Sequence, residues 1–218
     1  MAPLSFGEGS GVRKNNQSSI NHQSKNNQMT RRVELASAVA TIKAKRNGGI
    51  PRVGQLKLTD KTLYLNVKIK GNAGIVNLVD VNTRREVGIT NIDGNKLNAG
   101  RDYILDSMRV LVGATSSDDL KNETWVSPWS ITGQNSLPKA FLGAEFRINQ
   151  DRNQLVDMPI TDLCQDGFVS SFRSLSTSPL IRSNMEFEME IEYPKGVSVP
   201  VDQEYNIRIE VRAHQAQV

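Results

Sequence analysis

The chain has 218 residues, 38% hydrophobic and 23% charged, which is enough apolar content to bury a core and too much for disorder throughout. Its one cysteine, Cys164, excludes an internal disulfide, and no run approaches the roughly 18 to 20 apolar residues of a membrane-spanning helix. The formal charge of +4 is unevenly placed: residues 1–32 carry Arg13, Lys14, Lys25, Arg31 and Arg32 against the single acid Glu8, and the remaining 22 bases and 22 acids balance.

The leader repeats Lys-Asn-Asn-Gln at 14–17 and 25–28, and Ile20 is the only aliphatic residue between Lys14 and Gln28. Such a segment cannot offset its ordering entropy by burial, so residues 1–32 are expected to form a flexible, polar, faintly basic arm. Phe6 is followed by Gly-Glu-Gly-Ser-Gly and not by an apolar run, which argues against a signal peptide and for a soluble chain made inside the cell. Five dispersed bases among Asn, Gln and Ser suit sequence-independent contacts with phosphates, and these five are the candidate nucleic-acid-binding residues.

A linker is expected over 33–48. Leu35, Val39 and Ile42 fall at i, i+4 and i+7, Lys43, Lys45 and Arg46 follow, and Gly48 stands where a helix should stop. The spacing predicts a short amphipathic helix over about Arg31 to Lys45, with a β-rich reading of Val33–Ile42 as the alternative.

From Gly49 to the end the period is two, and a single β domain over 49–218 is expected. In "TLYLNVKIK" (62–70) Leu63, Leu65, Val67 and Ile69 alternate with polar residues, and "IVNLVDVN" (75–82) follows a glycine-flanked turn. In "DYILDSMRVLVG" (102–113) Ile104, Met108, Val110 and Val112 are placed on one face. A long connection, 114–139, holds Trp125 and Trp129; then "AFLGAEFRI" puts Leu142, Ala144, Phe146 and Ile148 inward, "LVDMPI" follows, and "GFVSSFRSL" (167–175) is a further strand. "MEFEMEIEY" (185–193) turns Met185, Phe187, Met189, Ile191 and Tyr193 inward and four glutamates outward; "YNIRIEVRA" (205–213) turns Ile207, Ile209 and Val211 inward. About eight strands joined mostly by connections too short for parallel crossovers predict an all-β, antiparallel, eight-stranded jelly-roll sandwich.

Catalytic chemistry leaves no trace in the sequence. His22 lies in the leader and His214 near the C-terminus, Cys164 has no neighbouring histidine, and there is no phosphate-binding glycine loop, nucleophile elbow or zinc-ligand spacing. The expectation is a non-enzyme without catalytic residues, cofactor or metal. The ladder Glu186, Glu188, Glu190, Glu192 has oxygens suited to a hard cation, but alternate residues on a strand stand about 6.5 to 7 Å apart, so it reads as a solvated face paired with bases such as Arg208 and Arg212. Trp125 and Trp129, four residues apart, either form an aromatic platform for a carbohydrate or receptor or anchor the long connection on the core. A hydrolase would have to work with a pair of Asp and Glu residues, and nothing in the sequence selects one.

The arm at 1–32, "GRDYILDSMRVLVGA" (100–114), "LGAEFRINQDRNQLVDMPITDL" (142–163) and "NMEFEMEIEYPKGVSVPVDQEYNIRIEV" (184–211) together resemble the capsid proteins of small icosahedral viruses and tailless bacteriophages. The resemblance implies a virion structural protein that self-assembles as a homo-oligomer into an icosahedral shell, its jelly rolls tiling the surface and its arm facing the interior. It implies as partners further copies of the chain, other virion proteins and packaged nucleic acid held non-specifically by the arm, with an internal membrane as another surface the arm could meet. The location implied is the virion, after synthesis in the host cytoplasm. The arm is less basic than in many RNA virus coat proteins, which weakens genome condensation as its task. The alternative function is a carbohydrate- or receptor-binding β-sandwich using Trp125 and Trp129.

Overall fold

The computed structural model describes residues 57–115, 118–128, 137–164 and 172–217, together with seven positions between 33 and 42. Those seven positions, Val33, Leu35, Ala36, Ser37, Val39, Ala40 and Ile42, are all helical and form α1. The expected arm and its five bases lie outside the described residues.

The body is an all-β sandwich of two antiparallel sheets. Its strands are β1 (Lys57–Ile69), β2 (Ile75–Asn77), β3 (Arg101–Gly113), β4 (Trp125–Val126), β5 (Glu145–Gln150), β6 (Asn153–Pro159), β7 (Arg173–Ser174), β8 (Leu180–Ile181), β9 (Phe187–Glu192) and β10 (Tyr205–Gln217). One sheet runs β1-β10-β3-β4, with β7 and β8 also paired to β3, and the other runs β2-β9-β5-β6. Two single-turn helices, α2 (Lys139–Leu142) and α3 (Ile160–Leu163), lie just before β5 and just after β6. Ten strands are present among the described residues where about eight were expected, because 114–139 contributes the two-residue β4 and the stretch after 171 holds the short β7 and β8.

Alternation carries most of the core. Leu63, Leu65 and Ile69 of β1, Phe146 and Ile148 of β5, Phe187, Met189 and Ile191 of β9, and Ile207, Ile209 and Val211 of β10 meet between the sheets, and Phe141 of α2 joins them. Each large side chain buried there contributes about 1.5–3 kcal/mol relative to exposure. Leu142 departs from expectation: it belongs to the helical turn α2 and is half-buried, because Pro138 starts a turn that ends at Gly143 before the strand begins. Strand β2 ends at Asn77, short of the expected 82. Asp80 turns the chain there, its carboxylate accepting hydrogen bonds from the Asn82 N–H and the Thr83 hydroxyl.

Strand β3 is where simple alternation fails. Leu105 pairs with Ala213 and Ser107 with Arg212, so Asp106 is an extra residue, a β-bulge. Its carbonyl is satisfied by the Leu175 N–H at 2.9 Å. Before the bulge Tyr103 and Leu105 face the core, and after it Met108, Val110 and Val112 do. Ile104 therefore does not share a face with Met108 as expected. It points out of the sandwich, where it forms a small separate cluster with Ala216 and Ile42 of α1, flanked by Leu35, Val39 and Leu180. The apolar stripe of the helix is the one its spacing predicts, and Ile42 is only 2% exposed while Val33 is 64% exposed.

Hairpin β5–β6 turns through Asp151 and Arg152, whose φ values of 53° and 61° fit the mirror-image two-residue turn that matches strand twist.

Candidate functional site

Three surfaces carry the polar chemistry. The first is the outer face of the larger sheet. Alternation on β10 and β1 turns Arg208, Glu210, Arg212, Tyr64, Asn66 and Lys68 outward, and the same strand geometry brings Arg109 of β3 beside them. Glu210 takes hydrogen bonds from the Arg109 Nε at 2.7 Å and the Arg208 Nε at 2.6 Å. Arg208 also lies over the Tyr64 ring at 4.3 Å, and Arg109 and Arg212 lie over Phe172 at 4.2 and 3.8 Å. The result is a plate of stacked arginines held by a carboxylate of their own chain. Farther along, Glu204 holds Lys68 at 2.8 Å and Lys70 at 2.5 Å, and Lys68 also reaches Asp118 at 2.9 Å. The two ammonium groups pull the Glu204 carboxyl down to about 2, and Glu204 and Asp118 in turn hold the Lys68 ammonium above its ordinary value.

Trp125 sits half-buried in β4 with the Arg208 guanidinium 6.0 Å from its ring. It fits an anchor for the long connection better than an open platform. Trp129 lies outside the described residues. The same connection is tied down by Glu123, a buried carboxylate that accepts hydrogen bonds from Asn206 at 2.7 Å and from the Thr115 N–H and hydroxyl at 3.0 and 2.8 Å. Gly113 makes room for it, since a Cβ there would come within 2.5 Å of that carboxyl group.

The second surface is the outer face of the smaller sheet, and it is acidic. The glutamate ladder does not meet Arg208 and Arg212, which belong to the other sheet. Its partners come from β5: Arg147 is bonded to Glu192, Glu145 and Asp157, and Asn149 donates to Glu190 at 3.1 Å. Glu145, Asp157, Glu188, Glu190 and Glu192 thus surround Arg147, the one cation on these strands' outer face among the described residues. No group of three or more His, Cys, Asp or Glu side chains among the described residues is arranged to hold a metal ion. A broad groove of about 750 Å³ at the end of this face is lined by Asp151, Glu186 and Glu188 with Lys96 and Arg152. Its three acids are exposed, without the apolar enclosure that raises a carboxyl group for general-acid work.

The third surface is the open end of the sandwich. A smaller groove of about 240 Å³ there is lined by Lys61 of β1, Arg101 of β3, and Arg85 and Lys96 from the 78–100 connection. The sequence holds a faint signal of it, because Lys61 and Arg101 keep the core-facing parity of Leu63 and Tyr103.

The reactive-looking single residues are quiet. Cys164 is fully buried and burial pushes its thiol up to about 12, so it is not a nucleophile near neutral pH. Tyr193 is buried, its hydroxyl has no hydrogen-bond partner among the described residues, and burial raises it to about 12. His214 pairs with Asp60 at 3.0 Å on the surface. No helix among the described residues is long and apolar enough to cross a membrane. Comparison with protein-family models, curated proteins and solved structures found no match to this chain.

Proposed function

We propose that the chain is a virion structural protein, a jelly-roll capsid subunit that assembles with copies of itself into an icosahedral shell, its N-terminal arm turned to the interior. The observation that carries this reading is the nesting of the strand pairs. First pairs with last (β1–β10), β2 with β9, β3 with β7 and β8, and β5 with β6. Two further pairings, β10 with β3 and β9 with β5, gather these into two sheets. Nested pairs of this kind arise when one long antiparallel ribbon of eight strands is wrapped around a core, which is the jelly-roll plan found in viral capsids. Treating β7 and β8 as one strand interrupted opposite the bulge, and β4 as an edge addition, leaves eight.

Fold alone does not assign function, so the reading also leans on how charge is divided. The +4 of residues 1–32 is joined to a neutral body through α1, which is seated on one sheet, while the opposite sheet is acidic. A basic arm on a body whose charges balance suits a subunit with a genome on one side. On this reading the chain is not an enzyme, and its partners are its own copies, other virion proteins and nucleic acid.

Negative-stain electron microscopy of the purified full chain, over a range of concentration and salt, tests the proposal. Closed shells or capsomer-like rings are expected. A strict monomer under every condition would overturn it.

A further inference from the structure

We infer that the open end of the sandwich is a binding site for a phosphomonoester, that is, for a small molecule bearing a terminal phosphate. The inference is independent of shell assembly.

The argument starts from two residues in unexpected places. Lys61 and Arg101 occupy core-facing positions of β1 and β3, where the next inward residues are Leu63 and Tyr103. Lys61 is half-buried there and Arg101 exposed, so both stay charged at the rim, where the core gives way to solvent. Lys68, Arg109, Arg147 and Arg208 on the outer faces each hold a carboxylate, and Arg212 is stacked over Phe172. Lys61 and Arg101 hold none among the described residues, and neither do Arg85 and Lys96, which the neighbouring connection adds to the same groove. Among the described residues the only acid in the lining, Asp93, accepts from the Arg85 backbone N–H at 3.4 Å and forms no ion pair. Four cations against one carboxylate in about 240 Å³ repel one another, and a bound anion reverses the sign of that interaction.

The chemistry of the lining narrows the anion. Two guanidinium forks and two ammonium groups line one groove from β1, β3 and the 78–100 connection, a set suited to the three oxygens of a phosphate dianion more than to a flat carboxylate. The floor beneath them is Leu63, Tyr103 and Phe187. Both rings are buried, so among the described residues no aromatic face of the groove is open for stacking a run of bases as a single-strand channel requires. The groove is smaller than the roughly 300 Å³ at which drug-sized pockets begin, which fits a phosphate on a sugar- or nucleoside-sized group.

The test is titration calorimetry of the full chain with inorganic phosphate, with adenosine monophosphate, and with a short DNA oligonucleotide lacking terminal phosphates, at constant ionic strength. Saturable binding of the first two is expected, weakened about tenfold by Lys61→Gln or Arg101→Gln and abolished in the double variant. A variant with Arg13, Lys14, Lys25, Arg31 and Arg32 all changed to Gln should bind these two ligands as the natural chain does. Without phosphate, the double variant should melt higher than the natural chain, because like charges have been removed; this also reports that it folds. Three results would overturn the inference: no saturation by about 10 mM ligand, binding that survives the double substitution, or binding that disappears with the leader bases. Tighter binding of the oligonucleotide than of adenosine monophosphate, lost in the double variant, would overturn it too, by assigning the groove to a phosphodiester polymer.

Discussion

At the scale of single residues, two groups give the clearest expectations. The Tyr193 hydroxyl is buried without a partner among the described residues, so its desolvation there is uncompensated. Tyr193→Phe should raise stability by about 1 kcal/mol, read as a higher urea midpoint with an unchanged slope. A clear loss would mean that the hydroxyl has a partner in solution. Glu204 gives a pH dependence. Its carboxyl lies lower in the folded chain, at about 2, than its ordinary value of 4.5, so ionised Glu204 stabilises the fold above about 4.5. That contribution disappears as pH falls from 4.5 through about 2, when the carboxyl group is protonated and Lys68 and Lys70 lose their partner. Glu204→Gln should therefore lose stability at neutral pH and show a shallower decline across this window, in thermal melts taken from pH 6 to pH 2. The pair is largely solvent-exposed, so the effect should shrink in high salt.

At the scale of elements, what the sequence made legible depended on whether a property is local. The inward residues of β9 and β10 and the stripe Leu35, Val39, Ile42 on α1 follow from period alone, because each element needs only to know its own two faces. Sheet membership is not local. Nothing within "MEFEMEIEY" says that β5 and not β10 lies beside it, so the pattern alone points the ladder at Arg208 and Arg212, whereas its partner is Arg147. Nor does any letter near Asp106 announce a bulge; the single residue inserted there exchanges the two faces of β3, which is why Ile104 was misplaced. The open-end cations were hidden for a related reason. Lys61 and Arg101 look like ordinary polar strand ends until their parity is compared with Leu63 and Tyr103. The docking of α1 is itself testable. Helices this short are not stable alone, and burial of an isoleucine is worth about 1.5–3 kcal/mol. Ile42→Asp should abolish amide-exchange protection over 33–42 while protection in β3 and β10 persists. Unchanged protection over 33–42 would show that something other than this seat holds the helix.

At the scale of the whole molecule, the distribution of charge sets the expected behaviour toward nucleic acid. If the five leader bases supply the phosphate contacts, the logarithm of the DNA association constant should fall with the logarithm of salt concentration with a slope of about −4.5. Replacing the five by glutamine should flatten the line, measured by fluorescence anisotropy on duplexes of unrelated sequence, with no preference among them. A slope that survives the replacement would place the contacts on the body, whose larger sheet already spends Arg109 and Arg208 on Glu210. The sandwich meanwhile has faces of unlike character, one arginine-stacked and one carboxylate-rich, so copies meeting face to face in opposite senses are not equivalent.

The bulge at Asp106 gives strand β3 something like a reading frame. On one side of it odd-numbered residues face the core, on the other even-numbered ones do, and the shift at 106 lets a single strand serve both. Tyr103 and Ile104, adjacent in the chain, consequently look in opposite directions, one toward the cationic mouth and the other toward the helix seat. Deleting that one residue would leave every other side chain of the strand present yet swap the addresses of all those before it, sending Ile104 into the core and turning Tyr103 and Arg101 to the outside. Composition would hardly change; phase would. Length at this point in the chain is thus a constraint of its own: the extra position that Asp106 occupies cannot be removed without dismantling two surfaces at once.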